Sequence, residues 1–158
     1  NGGAPFVQPS LEAGHQIHFI PDASMMYYMK SCDGVFMGAE SIYPDGTGFN
    51  TTGSDIVGLL CDYFHVPLYF ISPLIKLDVR MVYGKEKCTV INDLRDKLEP
   101  VANPKQLQGS IDYSAPELLA VSSRFIKAFI TEQGVIPAMQ LYDISMKYIK
   151  ELRGADDA

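Results

Sequence analysis

Short, nearly unbroken apolar runs constrain the fold of this chain more than any other feature of its sequence. A strand in a parallel sheet is covered by helices on both faces, so it is apolar at almost every position rather than at alternate ones. Four runs have this composition: Ile17–Ile20, Gly34–Met37, Pro67–Ile71 and Phe125–Thr131. The runs therefore predict a mostly parallel sheet.

Amphipathic segments alternate with these runs. Between the second and third runs, Ile56, Leu59, Leu60 and Tyr63 recur at helical spacing, and Thr52–Asp55 has the form of a capping box that would start the helix. A second stripe follows the last run, beyond a turn at Gly134 and a proline at Pro137, and marks a final helix: Leu141, Ile144, Tyr148 and Leu152. Alternating strands and helices predict one α/β domain over residues 1–158, Rossmann-like, with three layers and helices on both faces of the sheet.

The connections between these elements decide where a ligand would bind. The longest one, Arg80–Ser110, is polar and is predicted to lie over the surface, with a short helix within Thr89–Leu98. In open α/β sheets, ligands bind beyond the carboxyl ends of the strands. The candidate segments are those that follow the four runs: Pro21–Asp22, Gly38–Ser41, Ser72–Asp78 and Thr131–Glu132.

Charge and cysteine content exclude several classes of function. The chain has 19 acidic and 13 basic residues and a formal charge of −6, without a basic cluster, which argues against a nucleic-acid partner. It has no apolar stretch long enough to cross a membrane. Cys32, Cys61 and Cys88 are odd in number and lack the spacing of a zinc site, so a reduced, cytoplasmic protein is the default. The histidines lie far apart and no G-x-G-x-x-G motif follows the first run, so neither a metal nor a cofactor is predicted.

A block in the middle of the chain resembles a known family. Residues 38–46 read Gly-Ala-Glu-Ser-Ile-Tyr-Pro-Asp-Gly, and residues 49–54 read Phe-Asn-Thr-Thr-Gly-Ser. Further segments match in the same order: Ile20–Ala23, Pro73–Asp78, Pro116–Leu119 and Ile130–Pro137. Together they resemble the family that unites the alpha, beta and delta regulatory subunits of eukaryotic translation initiation factor 2B with the methylthioribose-1-phosphate and ribose-1,5-bisphosphate isomerases.

The resemblance implies a sugar-phosphate pocket. The catalytic aspartate of the isomerases falls at Glu40, the asparagine, lysine and glycine of the ligand-binding motif fall at Asn50, Thr51 and Gly53, and a further ligand-facing lysine matches Lys76. None of the three cysteines lies where the family cysteine would be. The resemblance also implies that the chain is the C-terminal Rossmann-like part of a longer protein whose N-terminal helical domain lies outside it.

Several of these residues have more than one interpretation. Glu40 is a catalytic acid, a ligand contact or a solvated carboxylate, and Asn50 holds a ligand or shapes the turn before the helix. Lys76 faces the pocket or pairs with Asp78. The start of the helix near Thr52 would attract a phosphate, but Asp55 would repel it. A threonine also stands at the position of the family lysine. The sequence therefore predicts a sugar-phosphate pocket that has lost part of its positive charge or has acquired another use.

Two functions follow from the resemblance. The first is a non-catalytic regulatory subunit of the initiation factor 2B guanine-nucleotide exchange complex. Such a subunit forms a homodimer or assembles with other subunits, contacts initiation factor 2, and could still bind a sugar phosphate or a nucleotide. The alternative is an aldose–ketose isomerase in which Glu40 replaces the aspartate. The cluster Met25–Met29 is either a helix packed on the sheet or a surface for another subunit, since its consecutive residues cannot all face one core. Thr131 and Glu132 are predicted to order the turn before the last helix.

Overall fold

The computed structural model describes residues 4–84, 90–102 and 111–154. Helices α1 to α5 span Ala4–Glu12, Met25–Met29, Ser54–Phe64, Arg95–Ala102 and Leu141–Gly154. Strands β1 to β9 span Val35–Gly38, Ser41–Ile42, Gly48–Thr51, Leu68–Ile71, Ile91–Asp93, Ser114–Pro116, Leu118–Val121, Ile126–Thr131 and Gly134–Pro137. No helix of the described segments is both long and apolar enough to span a bilayer.

The largest sheet confirms three of the four predicted strands. Its order is β1-β4-β8-β9, in which β1, β4 and β8 are parallel and β9 returns antiparallel to β8. Phe70 of β4 lies beside Phe129 of β8 in this register, and both side chains are fully buried. The chain is thus an α/β protein with a mostly parallel sheet. The turn predicted at Gly134 connects β8 to β9, and Gly134–Pro137 forms an antiparallel edge strand that was not predicted.

The first predicted strand is wrong. Ile17–Ile20 has no regular secondary structure, and Phe19 is 66% exposed. Strand β1 forms the edge of the described sheet on this side. An apolar run becomes a strand only where its backbone groups find partners, and none of the described segments supplies them to this run.

Helices were also predicted to cover both faces of the sheet, but two large apolar side chains on one face are exposed. Phe36 of β1 is 61% exposed and Ile71 of β4 is 53% exposed, while Val35 and Met37 pack against the core from the other side of β1. Side chains alternate across a strand, so one face of the sheet is open at β1 and β4. The described residues therefore do not complete the third layer there.

Two small antiparallel sheets were not predicted. One has the order β2-β3-β7, and the other pairs β5 with β6. The connection over residues 80–110 therefore contains a strand, Ile91–Asp93, within the predicted helix Thr89–Leu98, and α4 begins only at Arg95. The remainder of that connection, residues 85–89 and 103–110, lies outside the described residues.

Helix α3 forms where it was predicted, but of the four residues in the predicted stripe only Leu60 packs against the core. Ile56, Leu59 and Tyr63 are 50%, 55% and 67% exposed, while Gly58 and Cys61 are buried. A Cβ atom on Gly58 would lie 3.0 Å from the side chain of Val121 on β7. The helix turns small residues toward β7 because these allow a close approach, and three of its large apolar side chains consequently face solvent.

Candidate functional site

The candidate site lies at the carboxyl ends of β1 and β4. These strands are parallel, so the loops that follow them leave the sheet at the same edge. Three of the predicted residues come together around the loop after β1. The amide of Asn50, on β3, donates to the carbonyl of Gly38 at 2.6 Å, and the ammonium of Lys76 donates to the carbonyl of Ala39 at 2.6 Å. The backbone N–H of Glu40 donates to the carbonyl of Phe49 at 2.8 Å. Two side chains and one backbone bond therefore fix the loop that carries Glu40.

Glu40 projects from this fixed loop with an exposed side chain. An exposed carboxylate beyond a parallel strand is accessible to a ligand, and its fixed backbone limits the geometries in which it can meet one. Asn50 also accepts, through its Oδ1, a hydrogen bond from the N–H of Thr51 at 2.8 Å. Asn50 thus shapes the turn before α3 and supports the Glu40 loop, which gives it a structural role in addition to any contact with a ligand.

Thr51 and Gly53 line a neighbouring cavity of about 170 Å³ at the N-terminus of α3. Asp22, which follows the first apolar run, and Met25 line the same cavity from the other side. Free backbone N–H groups and the positive end of the helix dipole favour an anion at such a position. The predicted ligand residues are therefore divided between the Glu40 loop and this cavity.

The predicted capping box is wrong. Helix α3 begins at Ser54 after Gly53, whose φ is 100°, and no side chain caps it. Thr52 instead donates through its hydroxyl to the carbonyl of Pro116, and its N–H donates to the carbonyl of Glu117. Pro116 lies 64 residues from Thr52 in sequence, so the local spacing of residues could not predict this partner.

Asp55 lies in the first turn of α3, as predicted, and its Oδ1 is buried without a hydrogen-bond partner. A phosphate in the cavity would gain the N–H groups of the helix start but would meet the charges of Asp22 and Asp55. The cavity thus combines polar groups with the apolar side chains of Met25 and Val57, and none of its lining residues is basic.

Lys76 and Asp78 each contact a different neighbour. Lys76 contacts the Glu40 loop, whereas Asp78 pairs with Arg80 through both carboxylate oxygens, an interaction that raises the pKa of Arg80. Thr131 orders the turn between β8 and β9 by accepting from the N–H of Gln133 and donating to the carbonyl of Gly134.

Glu132 has a role that sequence reasoning missed. Its carboxylate accepts from the backbone N–H of Leu74 at 2.9 and 3.1 Å. The bond joins the loop after β8 to the loop after β4, next to Lys76. The position of Glu132 directly after a predicted strand was the only signal in the sequence. Its partner is a backbone N–H group, which every residue except proline has, so the sequence could not identify that partner.

No metal centre is found in the segments that the structure describes, because no three His, Cys, Asp or Glu side chains lie close enough to share an ion. Cys61 is 1% exposed, and its Sγ lies 3.9 Å from the Sδ of Met29. Burial, and to a smaller extent the nearby Cys32, raises the pKa of the Cys61 thiol to about 11. Cys61 is therefore a core residue rather than a nucleophile.

We expect Asn50→Ala to lower the free energy of unfolding by about 1 to 3 kcal/mol, because it removes a donor and an acceptor that hold the Glu40 loop and the start of α3. Urea denaturation measures the change. Gln133→Ala, which removes an exposed amide from the β8–β9 turn, is the matched control and should change the value by less than about 0.5 kcal/mol. Equal effects would contradict the role of Asn50.

The two described cysteines should differ in reactivity. In a variant that keeps only Cys61, iodoacetamide at pH 8 should label the folded protein much more slowly than in a variant that keeps only Cys32, because the raised pKa of Cys61 leaves less thiolate and burial blocks access. Mass spectrometry follows the labelling, and denaturant should equalise the two rates. Equal rates in the folded state would show that Cys61 is accessible.

The amino-acid sequence is similar to a known protein family and to several of its members. The model of the Initiation factor 2 subunit family matches residues 2–138. Ribose 1,5-bisphosphate isomerase of Archaeoglobus fulgidus is 27% identical over 131 residues, which cover 83% of this chain and 41% of that protein. Methylthioribose-1-phosphate isomerase of Bacillus cytotoxicus is 26% identical over 143 residues, which cover 88% of this chain and 40% of that protein.

Solved structures agree on the fold. The translation initiation factor eIF-2B of Pyrococcus horikoshii OT3 superimposes with a TM-score of 0.66 at 18% identity, covering 85% of this chain and 44% of that one. At this identity the likeness concerns the fold alone. The chain spans about 40% of the length of the curated relatives it matches.

Proposed function

The chain belongs to the Initiation factor 2 subunit family, and from this membership we propose that it provides the sugar-phosphate site of an aldose–ketose isomerase. The substrate class is a ribose 1-phosphate derivative, such as ribose 1,5-bisphosphate or methylthioribose 1-phosphate. The observation that carries the proposal is the loop of Glu40, which Asn50 and Lys76 fix at the end of β1 beside the cavity at the start of α3. The isomerases among the relatives support the same chemistry.

The chemistry assigns a role to each part of the site. An aldose–ketose isomerisation needs a group that moves a proton between neighbouring carbons, a group that polarises the oxygen, and donors for the phosphate. Glu40 is the carboxylate that takes and returns the proton. Lys76 donates to the carbonyl of Ala39, the residue before Glu40, and supplies positive charge. Thr51 and the backbone at Gly53 face the phosphate.

Turnover is the direct test. The purified protein is incubated with each of the two sugar phosphates, and formation of the ketose is followed by ¹³C NMR, with ribose 5-phosphate as the control that lacks a phosphate at C1. Ketose formation from one of the two substrates and none from the control is the expected result. If calorimetry shows saturable binding without turnover, the protein is a sugar-phosphate sensor and not an isomerase. If neither sugar phosphate binds, the site has another ligand.

A second function, regulatory subunit of the initiation factor 2B exchange complex, is favoured by a specific observation. Thr51 stands where the family motif has a lysine, and two carboxylates, Asp22 and Asp55, lie at or beside the cavity. A site with less positive charge stabilises a phosphate ester and its transition state less well. In this alternative the protein acts in the cytoplasm, assembles with other initiation factor 2B subunits, and contacts initiation factor 2.

Affinity purification separates the two functions. A tagged copy that recovers the other exchange-factor subunits from its own cells, together with initiation factor 2, would support the regulatory alternative. Recovery of the protein without them, combined with ketose formation in the assay above, would support the isomerase.

A further inference from the structure

The turn between β8 and β9 holds Glu132 at the same edge of the sheet as the candidate site. In this turn Thr131 accepts from the N–H of Gln133 at 3.1 Å and donates to the carbonyl of Gly134 at 3.1 Å. Gly134 has a φ of 104°, which glycine adopts far more readily than other residues. The backbone of Glu132 is therefore fixed beyond the carboxyl end of β8, a strand that runs parallel to β4.

The carboxylate of Glu132 caps the 3-10 turn Leu74–Lys76, which belongs to the loop after β4. Its two oxygens lie 2.9 and 3.1 Å from the backbone nitrogen of Leu74. The first N–H group of a helical turn has no acceptor within the turn. Leu74 is 0% exposed, so water cannot replace the carboxylate. Because a hydrogen bond to an ionised acceptor is also stronger than one to a neutral group, Glu132 fixes the start of this turn.

Lys76 lies at the end of the same turn, so its position depends on the turn. Its N–H donates to the carbonyl of Pro73 at 3.1 Å, which closes the turn. Its ammonium donates to the carbonyl of Ala39 at 2.6 Å, one residue before Glu40. A lysine side chain is flexible, and its ammonium stays in one place only if its backbone is held. A series of hydrogen bonds thus joins the loops after β8, β4 and β1.

We propose that Glu132 is a positioning residue of the candidate site: by fixing the turn Leu74–Lys76, it holds the ammonium of Lys76 at the loop that carries Glu40. In this role Glu132 acts through Lys76 and makes no contact with the substrate. The part that Lys76 plays in the reaction, as a positive charge near the reacting oxygen, rests on the proposed function. The effect of Glu132 on the position of Lys76 does not, because every bond in the series lies within the protein.

Loss of this support is expected to slow the isomerisation. In Glu132→Ala the N–H of Leu74 loses its acceptor, so the turn shifts and the ammonium of Lys76 moves over a wider range. A displacement of about 1 Å in an active site can lower a rate by about 100-fold. We expect kcat for ketose formation to fall by about 10-fold or more. KM should change by less than about three-fold, since Thr51 and Gly53 still line the cavity for the phosphate.

Nuclear magnetic resonance tests the position of Lys76 without a substrate. The two Hε atoms of a lysine side chain that is held in one place give separate signals, which merge when the side chain moves freely. In protein labelled with ¹³C-lysine, with Lys76→Arg to assign the signals, the Hε signals of Lys76 should be separate in the wild type and merged in Glu132→Ala. Glu132→Gln keeps one acceptor oxygen and should give an intermediate separation. Gln133→Ala, at the next position of the same turn, is the matched control and should leave the signals separate.

A double-mutant cycle shows whether Glu132 acts through Lys76. Two residues that act through one group have effects that do not add. Glu132→Ala should therefore lower kcat by about 10-fold in the wild type but by less than about two-fold in a Lys76→Ala background. Gln133→Ala should leave kcat unchanged in both. A merely structural Glu132 would lower kcat by the same factor with and without Lys76.

The two measurements separate this proposal from the proposed function. If the wild type forms no ketose, the isomerase function fails, and the Hε signals of Lys76 still decide the role of Glu132. Separate Lys76 signals in folded Glu132→Ala, or equal factors in the two backgrounds of the cycle, overturn the proposal. Circular dichroism checks that each variant is folded. If Glu132→Ala does not fold, Glu132→Gln replaces it in both measurements.

Discussion

Glu40→Gln is expected to lower the turnover number of the isomerisation by about 100-fold or more, because a glutamine amide has the shape of the carboxylate but cannot take a proton from carbon. Glu40 is exposed and its backbone N–H bond to Phe49 remains in the variant. The Glu40 loop should therefore keep its position. Initial rates of ketose formation at saturating substrate measure the change.

Two controls define the role of Glu40. Glu12→Gln, on α1, removes an exposed carboxylate elsewhere and should leave the rate unchanged. Binding of the sugar phosphate to Glu40→Gln, measured by calorimetry, should stay within a few-fold of wild type, which would separate the proton-transfer step from recognition. Full activity in Glu40→Gln would show that another group moves the proton.

The largest effect on stability is expected from Phe70→Ala. Phe70 is 0% exposed on the central strand β4, its ring centre lies 5.8 Å from that of Phe129, and its ring packs against the backbone of Gly48 on the neighbouring small sheet. Truncation leaves a cavity between the two sheets. The free energy of unfolding should fall by about 3 to 5 kcal/mol, a large part of the 5 to 15 kcal/mol that holds a typical domain folded.

Phe36→Ala is the matched control, since Phe36 lies on the adjacent strand β1 but is 61% exposed. It loses mainly its stacking on Tyr69, at 5.4 Å between ring centres, and should cost about 1 kcal/mol or less. Urea denaturation of the two variants gives the comparison. Similar losses for both would mean that the open face at β1 is covered in solution.

Two of the predicted site residues are neighbours because they follow parallel strands. Three apolar runs became the parallel strands β1, β4 and β8, and the carboxyl ends of parallel strands share one edge. Glu40 and Lys76 follow two of these strands, so their proximity was expected from topology. Asn50 reached the same loop from β3, whose pairing with β7 no local pattern indicated.

Composition and periodicity by themselves determined the α/β class, the mostly parallel sheet and the position of α3, because these depend on where apolar residues recur along the chain. Tertiary structure decided which surfaces were covered. Ile17–Ile20 lacked a partner for its backbone, and α3 turned Gly58 rather than Leu59 toward β7 because only a small residue allows that approach. Periodicity reports that a side chain is apolar, but the neighbour that buries it comes from distant parts of the chain.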